Sequence, residues 1–187
     1  MVVIKNNPYK TVKRPISNFF KDDIFLYTSV EDIYNHAQSL GILTVPFDIF
    51  SYLKKHSINV FYEDMEDISG YLELKDQIWT VGINKYQNET RQRFTAAHEL
   101  AHLLFDREII KERGKHNDFI LFRENSSIEE LEKRANAFSA ELLMPQLYFE
   151  RIVKSGMNKI EEIAHYFNVS PAATRYRAYK LGYLKGY

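Results

Sequence analysis

One long, largely apolar stretch, residues 88–107, has the pattern of a helix and carries two histidines four positions apart. Positions i and i+4 lie one above the other on an α-helix, so His98 and His102 project from the same face. Two imidazoles on a nearly buried helix are costly unless their ring nitrogens have partners. Either a pair of hydrogen-bonded core histidines or a metal ion shared by both rings would provide those partners.

The residue that follows His98 favours the metal ion. The local sequence is His98-Glu99-Leu100-Ala101-His102, an H-E-x-x-H pattern. Glu99 lies about 100° around the helix from His98, so in this geometry it lies beside the ion without binding it. From there it can accept a proton from a metal-bound water molecule. Because roughly 0.02 such matches are expected by chance in this composition, the pattern predicts a catalytic zinc (Zn²⁺) site.

A catalytic zinc ion needs a third protein ligand and one open position for water. The chain has no cysteine, which excludes thiolate ligands, cysteine nucleophiles and disulfides. The remaining candidates lie shortly after the motif or on the next long helix, predicted over 127–143. These candidates are His116, Asp106, Glu108, Glu129, Glu130, Glu132 and Glu141.

Helical geometry favours Glu132 among the acids of that helix. It lies at the edge of an apolar stripe formed by Ile128, Leu131, Ala135, Phe138 and Leu142. Glu129 is about 60° away and is the nearest rival, whereas Glu130 and Glu141 face elsewhere, about 160° and 180° around the helix. Asn136, one turn beyond Glu132, is predicted to orient a ligand imidazole.

The overall composition is that of an ordinary globular protein. Hydrophobic residues make up 45% and charged residues 27% of the 187 positions. The 25 Lys and Arg residues balance 25 Asp and Glu residues, which argues against a strongly basic nucleic-acid-binding protein. The first residues lack the apolar segment of a signal peptide, and no apolar run is long enough to span a bilayer. We therefore expect a cytoplasmic protein that binds neither membranes nor nucleic acid directly.

The order of the predicted elements indicates an α+β fold. Residues 1–28 are expected to form an N-terminal arm without firm structure, and residues 29–187 a single domain. Two short helices precede β-branched and aromatic segments typical of a small antiparallel sheet of about three strands. These strands are predicted at 58–62, 71–74 and 78–84. Helices then occupy the rest of the chain, interrupted by a polar connection at 111–126.

The last two predicted helices, within residues 158–182, resemble a helix-turn-helix. Ser170 is placed to cap the second of them, and Pro171 occupies its first position. Basic residues of this helix, among them Arg177, would supply positive charge toward DNA. The apolar residues of both helices suit a packed pair equally well, and we interpret the pair as part of the core of the domain.

Two blocks of sequence, residues 91–102 and 132–145, resemble the ImmA/IrrE family of zinc metallopeptidases. Both blocks are long and occur in the family's order, and the likeness covers residues from about 29 to 183. The resemblance implies a gluzincin-like, mainly helical metallopeptidase core packed with the small sheet and the C-terminal helical pair.

The resemblance also implies roles for the site residues and a kind of partner. His98, His102 and Glu132 would be the zinc ligands, and Glu99 the general base. Family members typically relieve repression by cleaving helix-turn-helix repressors, and others act in toxin–antitoxin pairs. We therefore expect a metalloendopeptidase that cleaves such a repressor or a similar regulatory partner. The alternatives are a toxin–antitoxin component and a non-cleaving regulatory module that retains its zinc site.

Overall fold

The computed structural model describes residues 23–113, 115–117 and 126–186, so the predicted arm lies outside the described residues up to position 22. In these ranges a 3-10 turn (Asp23–Leu26) precedes the helices α1 (Val30–Ser39), α2 (Ile49–Lys55), α3 (Glu89–Phe105), α4 (Arg107–Arg113), α5 (Ser126–Leu143), α6 (Gln146–Lys154), α7 (Ile160–Phe167) and α8 (Pro171–Lys180). No helix in this part of the chain is long and apolar enough to cross a membrane.

The described strands form a mixed four-stranded sheet in the order β1-β3-β2-β4. They are β1 (Asn59–Glu63), β2 (Gly70–Lys75), β3 (Ile78–Asn84) and β4 (Lys115–Asn117). β2 and β3 form an antiparallel hairpin whose two turn residues, Asp76 and Gln77, both have positive φ, as a tight two-residue turn requires. A small sheet between two groups of helices confirms the predicted α+β class.

The sheet differs from the prediction of three antiparallel strands in two ways. β1 pairs with β3 in parallel, with Val60 opposite Val81, and β4 adds to β2 within the segment predicted as a polar connection. Asn84, the last residue of β3, stabilises the connection that crosses from β1 to β2. Its side-chain amide donates to the carbonyls of Met65 and Ile68, at 2.5 and 3.1 Å, and holds the β1–β2 connection across the end of β3. β1 therefore lies on the far side of β3 from β2.

Capping residues determine where several helices begin. Ser29, Asn88 and Ser170 each accept a hydrogen bond from the backbone N–H three residues further on, at the starts of α1, α3 and α8. The starts of these helices therefore agree with the predicted ones. α2 begins at Ile49 because the side chain of Asp48 caps it, accepting a hydrogen bond from the backbone N–H of Ser51. The short helix α4 was not predicted.

Long-range hydrogen bonds hold α3 and α5, the two helices with the candidate site, in the core. Arg93 of α3 is buried and donates to the backbone carbonyls of Phe47, at 3.0 Å, and Asn168, at 3.1 Å. The hydroxyl of Tyr34 in α1 donates to the carbonyl of Leu142 near the end of α5, at 3.0 Å. Each bond joins segments far apart in sequence, so α3 and α5 are each anchored to other parts of the domain.

The C-terminal pair, α7 and α8, packs into the domain as the apolar pattern predicts. Ile163, Phe167 and Ala178 are buried. Arg177 is also buried, and its Nε donates to the carbonyl of Met144 at 3.0 Å. A guanidinium engaged with the backbone of the α5–α6 connection is not presented to DNA, which supports the interpretation of this pair as core packing.

Candidate metal centre

α3 carries the H-E-x-x-H residues into the interior. His98, Glu99 and His102 are 5%, 0% and 0% exposed. The helix is lined here by small and apolar side chains that are themselves buried: Ala96, Ala97, Leu100, Ala101 and Leu103. Three ionisable groups in such surroundings are costly unless they satisfy one another or hold an ion.

Glu132 of α5 completes a cluster with the two histidines. Its Oε2 lies 3.1 Å from Nε2 of His98, and its Oε1 lies 3.2 Å from Nε2 of His102. The two Nε2 atoms are 3.0 Å apart, a separation that calls for a proton or a cation between them. All ligand atoms lie within 4.8 Å of one another. Two imidazoles and one carboxylate are the donors of a zinc site with an open fourth position, so these residues fit the ion.

Asp106 orients His102 from the opposite side of its ring. Nδ1 of His102 donates to Oδ2 of Asp106 at 2.8 Å, which turns Nε2 toward the cluster. Asp106 is itself buried and accepts a second hydrogen bond from the guanidinium of Arg134 on α5. That guanidinium lies over the ring of Phe105, 5.0 Å from its centroid. Asp106 therefore links Nδ1 of His102 on α3 to Arg134 on α5.

These contacts set the charge on His102. Burial alone lowers its pKa, but the hydrogen bonds to Asp106 and Glu132 outweigh burial and raise the pKa of His102 to about 9. These carboxylates therefore favour the positively charged form of the ring, and an ion bound at Nε2 would compete with a proton for that nitrogen. The carboxylates around the ring are thus arranged to stabilise positive charge in the cluster.

Glu99 lies against β2 at Gly70. A Cβ atom added to Gly70 would overlap the side chain of Thr95 and would lie 2.7 Å from the carbonyl oxygen of Gly82 and 3.5 Å from Oε1 of Glu99. Glycine therefore allows the strand to approach α3 this closely. The Glu99 side chain lies between α3 and β2. It follows His98 in the sequence but is not part of the His98, His102 and Glu132 cluster. A general base needs this position beside the ligands.

The other residues considered as a third ligand lie elsewhere. Glu129 and Glu108 are exposed and form ion pairs with lysines on their own helices, at 2.5 and 3.0 Å. Glu130 is exposed, and Glu141 approaches a guanidinium of α8 at 3.5 Å. His116 belongs to β4, and its side chain lies outside the described part of the chain.

Asn136 is the residue that the sequence predicts to orient a ligand imidazole. It is exposed on α5 and lines a cavity beside the cluster. The second nitrogen of His102 is instead bonded to Asp106, which the sequence offered as a candidate ligand. Its position, four residues after His102 on the same helix face, was a signal for this orienting role. The parts played by Arg134 and Gly70 have no comparable signal in the sequence.

The cavity has a volume of about 590 Å³ and lies between α3, α5 and the junction of α7 and α8. Phe94 of α3 lines it, and the ring centroid of Phe94 is 6.4 Å from that of His98. Asn136, one turn from Glu132, lines it from α5. The cavity walls include none of the three cluster residues, but Phe94 and Asn136 lie on the same two helices as His98 and Glu132.

Two histidines on one buried helix, with a carboxylate supplied by the helix packed against it, are typical of the zinc metallopeptidase-like class of proteins. A family comparison specifies this class further. Residues 53–179 match the family model described as Peptidase M78, IrrE N-terminal-like domain, and the chain belongs to this ImmA/IrrE family.

The fold is similar to that of a solved Mycobacterium tuberculosis transcriptional regulator, with a TM-score of 0.55 and 17% sequence identity. The superposition covers 83% of this chain and 55% of the regulator, so the chain spans about half the length of that protein. At this identity the similarity concerns the fold alone. No curated protein sequence matches the chain significantly.

Proposed function

We propose that this protein is a zinc-dependent endopeptidase that cleaves a regulatory protein. One observation carries the proposal: Nε2 of His98, Nε2 of His102 and the Glu132 carboxylate converge, while Glu99, the residue next to His98 on α3, is fully buried. A site used to hold an ion for structure alone has no need of an additional buried carboxylate at this position. Buried acids are costly, so its presence favours a chemical role.

The residues divide the chemistry among them. A zinc ion held by His98, His102 and Glu132 would polarise the peptide carbonyl and lower the pKa of a coordinated water molecule. Glu99 accepts a proton from the attacking water and delivers it to the leaving amine. Asp106 keeps Nε2 of His102 directed at the ligand cluster throughout.

The partner proposed is a helix-turn-helix repressor encoded by a separate gene. The family membership and the likeness in fold to a transcriptional regulator support a role in gene regulation. The balanced charge of the chain and the inward position of Arg177 support action on a protein rather than on DNA. We place this activity in the cytoplasm, where such repressors act.

The test combines zinc content with cleavage of the helix-turn-helix regulator encoded beside the gene. Wild type and Glu99→Gln are loaded with zinc and incubated with that regulator, and the products are analysed by mass spectrometry. Glu99→Gln keeps the ligands but removes the proton acceptor, so zinc should be retained while cleavage falls by orders of magnitude. Glu161→Gln, an exposed acid on α7, is the matched control and should cleave like wild type.

Two other outcomes would assign the chain to the alternatives. Equal biological activity of wild type and Glu99→Gln, with zinc bound in both, would remove the catalytic role and leave a binding module. Cleavage of a paired toxin or antitoxin, with the repressor left intact, would keep the enzyme and change its substrate.

A further inference from the structure

The cavity beside the cluster continues the helix faces that supply the zinc ligands. Arg91 and Phe94 precede His98 by seven and four residues, so all three lie on one face of α3. On α5, Asn136 follows Glu132 by four residues and likewise shares its face. A peptide whose carbonyl reaches the cluster can therefore extend into the cavity along these two faces.

The charged side chains that line the cavity are cationic. Among the described residues that form its walls, Arg91 and Lys133 are charged and none is acidic. Lys133 forms an ion pair with Glu129 at 2.5 Å, whereas Arg91 donates a hydrogen bond to the neutral hydroxyl of Ser69 at 2.7 Å. Within the described parts of the chain Arg91 forms no ion pair. Its guanidinium also packs on the ring of Phe94, 5.8 Å from the centroid, which holds the charge beside the cavity.

The floor of the cavity is apolar. Phe94, Ala140, Val169 and Tyr176 contribute to its walls, and Ala140 and Val169 are buried. Apolar walls together with the cationic side chains of Arg91 and Lys133 suit a side chain that has an aliphatic stem and a negatively charged end. A planar guanidinium binds a carboxylate through two parallel hydrogen bonds. Arg91 would therefore prefer a carboxylate to other anions for its shape as well as its charge.

We propose that this cavity is a specificity subsite that binds a carboxylate of the substrate, with Arg91 as its principal recognition residue and Lys133 as its secondary one. The proposal rests on the proposed metal site and adds the chemical class of residue that the substrate carries near the cleaved bond.

Helix geometry gives the distance of that carboxylate from the cleaved bond. Arg91 lies about 10 Å along the axis of α3 from His98, at about 1.5 Å per residue. An extended peptide advances about 3.3 Å per residue. The carboxylate therefore belongs to a residue two or three positions from the cleaved bond, either as an Asp or Glu side chain or as the C-terminal carboxylate.

Peptide hydroxamates test this subsite without requiring cleavage, because the hydroxamate chelates zinc directly. Tripeptide hydroxamates are prepared in two series, with the zinc-binding group at either end and Glu, Gln or Lys at the second or third residue. Their dissociation constants are measured with the zinc-loaded full chain. In the series that reaches the cavity, the Glu probe should bind about tenfold more tightly than its Gln counterpart.

Variants of Arg91 identify the group responsible. Arg91→Gln should abolish the preference for Glu over Gln, and Arg91→Glu should change it to a preference for Lys. Lys133→Gln should reduce the preference by a smaller factor. Arg175→Gln, an exposed arginine of α8 outside the cavity walls, is the matched control and should retain the preference in full. Probes with a free or an amidated C-terminus distinguish a side-chain carboxylate from a terminal one.

The outcomes separate this subsite from the proposed function. Tight zinc-dependent binding of all probes, with equal affinity for Glu and Gln in both series, would overturn the subsite and leave the metal centre intact. A preference for Glu that persists in Arg91→Gln would overturn the role of Arg91. Failure of every hydroxamate to bind the zinc-loaded chain would overturn the metal centre and the subsite together.

Discussion

Nδ1 of His102 donates a hydrogen bond to Oδ2 of Asp106 at 2.8 Å, between residues one helical turn apart at the end of α3. The acceptor lies just beyond the last residue of the helix, where its side chain also receives the guanidinium of Arg134 from α5. The orientation of a ligand ring is therefore coupled to the packing of the helix that supplies the carboxylate ligand.

Replacing Asp106 by alanine should weaken zinc binding while leaving all three ligands in place. Without the acceptor, His102 loses both its fixed ring orientation and the basicity that a carboxylate partner confers. Loss of such a partner lowers metal affinity by about 10- to 100-fold. Competition with a chromogenic chelator measures the effect. Glu108→Ala, which removes an exposed acid two residues further on, should bind zinc like wild type.

Glu132 and Glu129 provide a second matched comparison, because both are acids of α5 but only one of these two is buried. Glu132→Ala should prevent retention of zinc through gel filtration, since two imidazoles alone form an incomplete site. Glu129→Ala removes an exposed ion pair and should retain about one zinc ion per chain. Elemental mass spectrometry measures the zinc content per chain of both variants. The reverse pattern would move the third-ligand role to Glu129.

Gly70→Ala should destabilise the protein, because the new methyl group would overlap the side chain of Thr95 and crowd the carbonyl of Gly82. Overpacking of this kind costs about 1–3 kcal/mol. We expect a lower melting temperature and, because β2 contacts Glu99 here, reduced cleavage of the partner. Gly186→Ala, where nothing lies within 4 Å of the added atom, is the control and should melt like wild type. Equal melting temperatures for both variants would contradict the close approach of β2 to α3.

The parts of the molecule that sequence patterns predicted are those with local causes. Asn88 caps α3 through a hydrogen bond three residues away, and the i, i+4 spacing of His98 and His102 places both rings on one face. These relationships need no knowledge of the tertiary structure. Glu132 could be predicted as the third ligand in the same way, because it lies at the edge of an apolar stripe. The preference for Glu132 over Glu129 also used the family resemblance.

The parts that the sequence did not predict depend on distant partners. The parallel pairing of β1 with β3 is accompanied by long-range contacts of Asn84, whose side chain binds carbonyls 16 and 19 residues earlier in the chain. Nothing in the pattern of β1 itself distinguishes this order from a simple meander. Likewise the contact between Asp106 and Arg134 joins residues 28 positions apart, and no pattern near either residue indicates it.

His56 should make the protein less stable as the pH falls below neutrality. Its Nε2 is buried, and its ring lies beside those of Tyr52 and His36, with centroids 4.7 and 5.0 Å away. Burial, with a smaller contribution from the charge of His36, lowers the pKa of His56 from 6.5 to about 4. Above pH 6.5 the ring is neutral in both the folded and the unfolded state, so His56 does not reduce the free energy of unfolding there. Between pH 6.5 and 4 the unfolded state binds a proton that the folded state does not, so stability is lost.

For a half-buried ring we expect this loss to be about 2 kcal/mol by pH 4, after allowance for solvent screening. The measurement is urea unfolding of wild type and His56→Phe between pH 7.5 and 4.5, with a chelator present so that metal release does not contribute. His56→Phe keeps an aromatic ring but cannot titrate, so its stability should decline less steeply with falling pH. His165→Gln, which removes an exposed histidine, should keep the wild-type slope. Parallel curves for wild type and His56→Phe would show that the folded state accommodates a charged His56 at no cost.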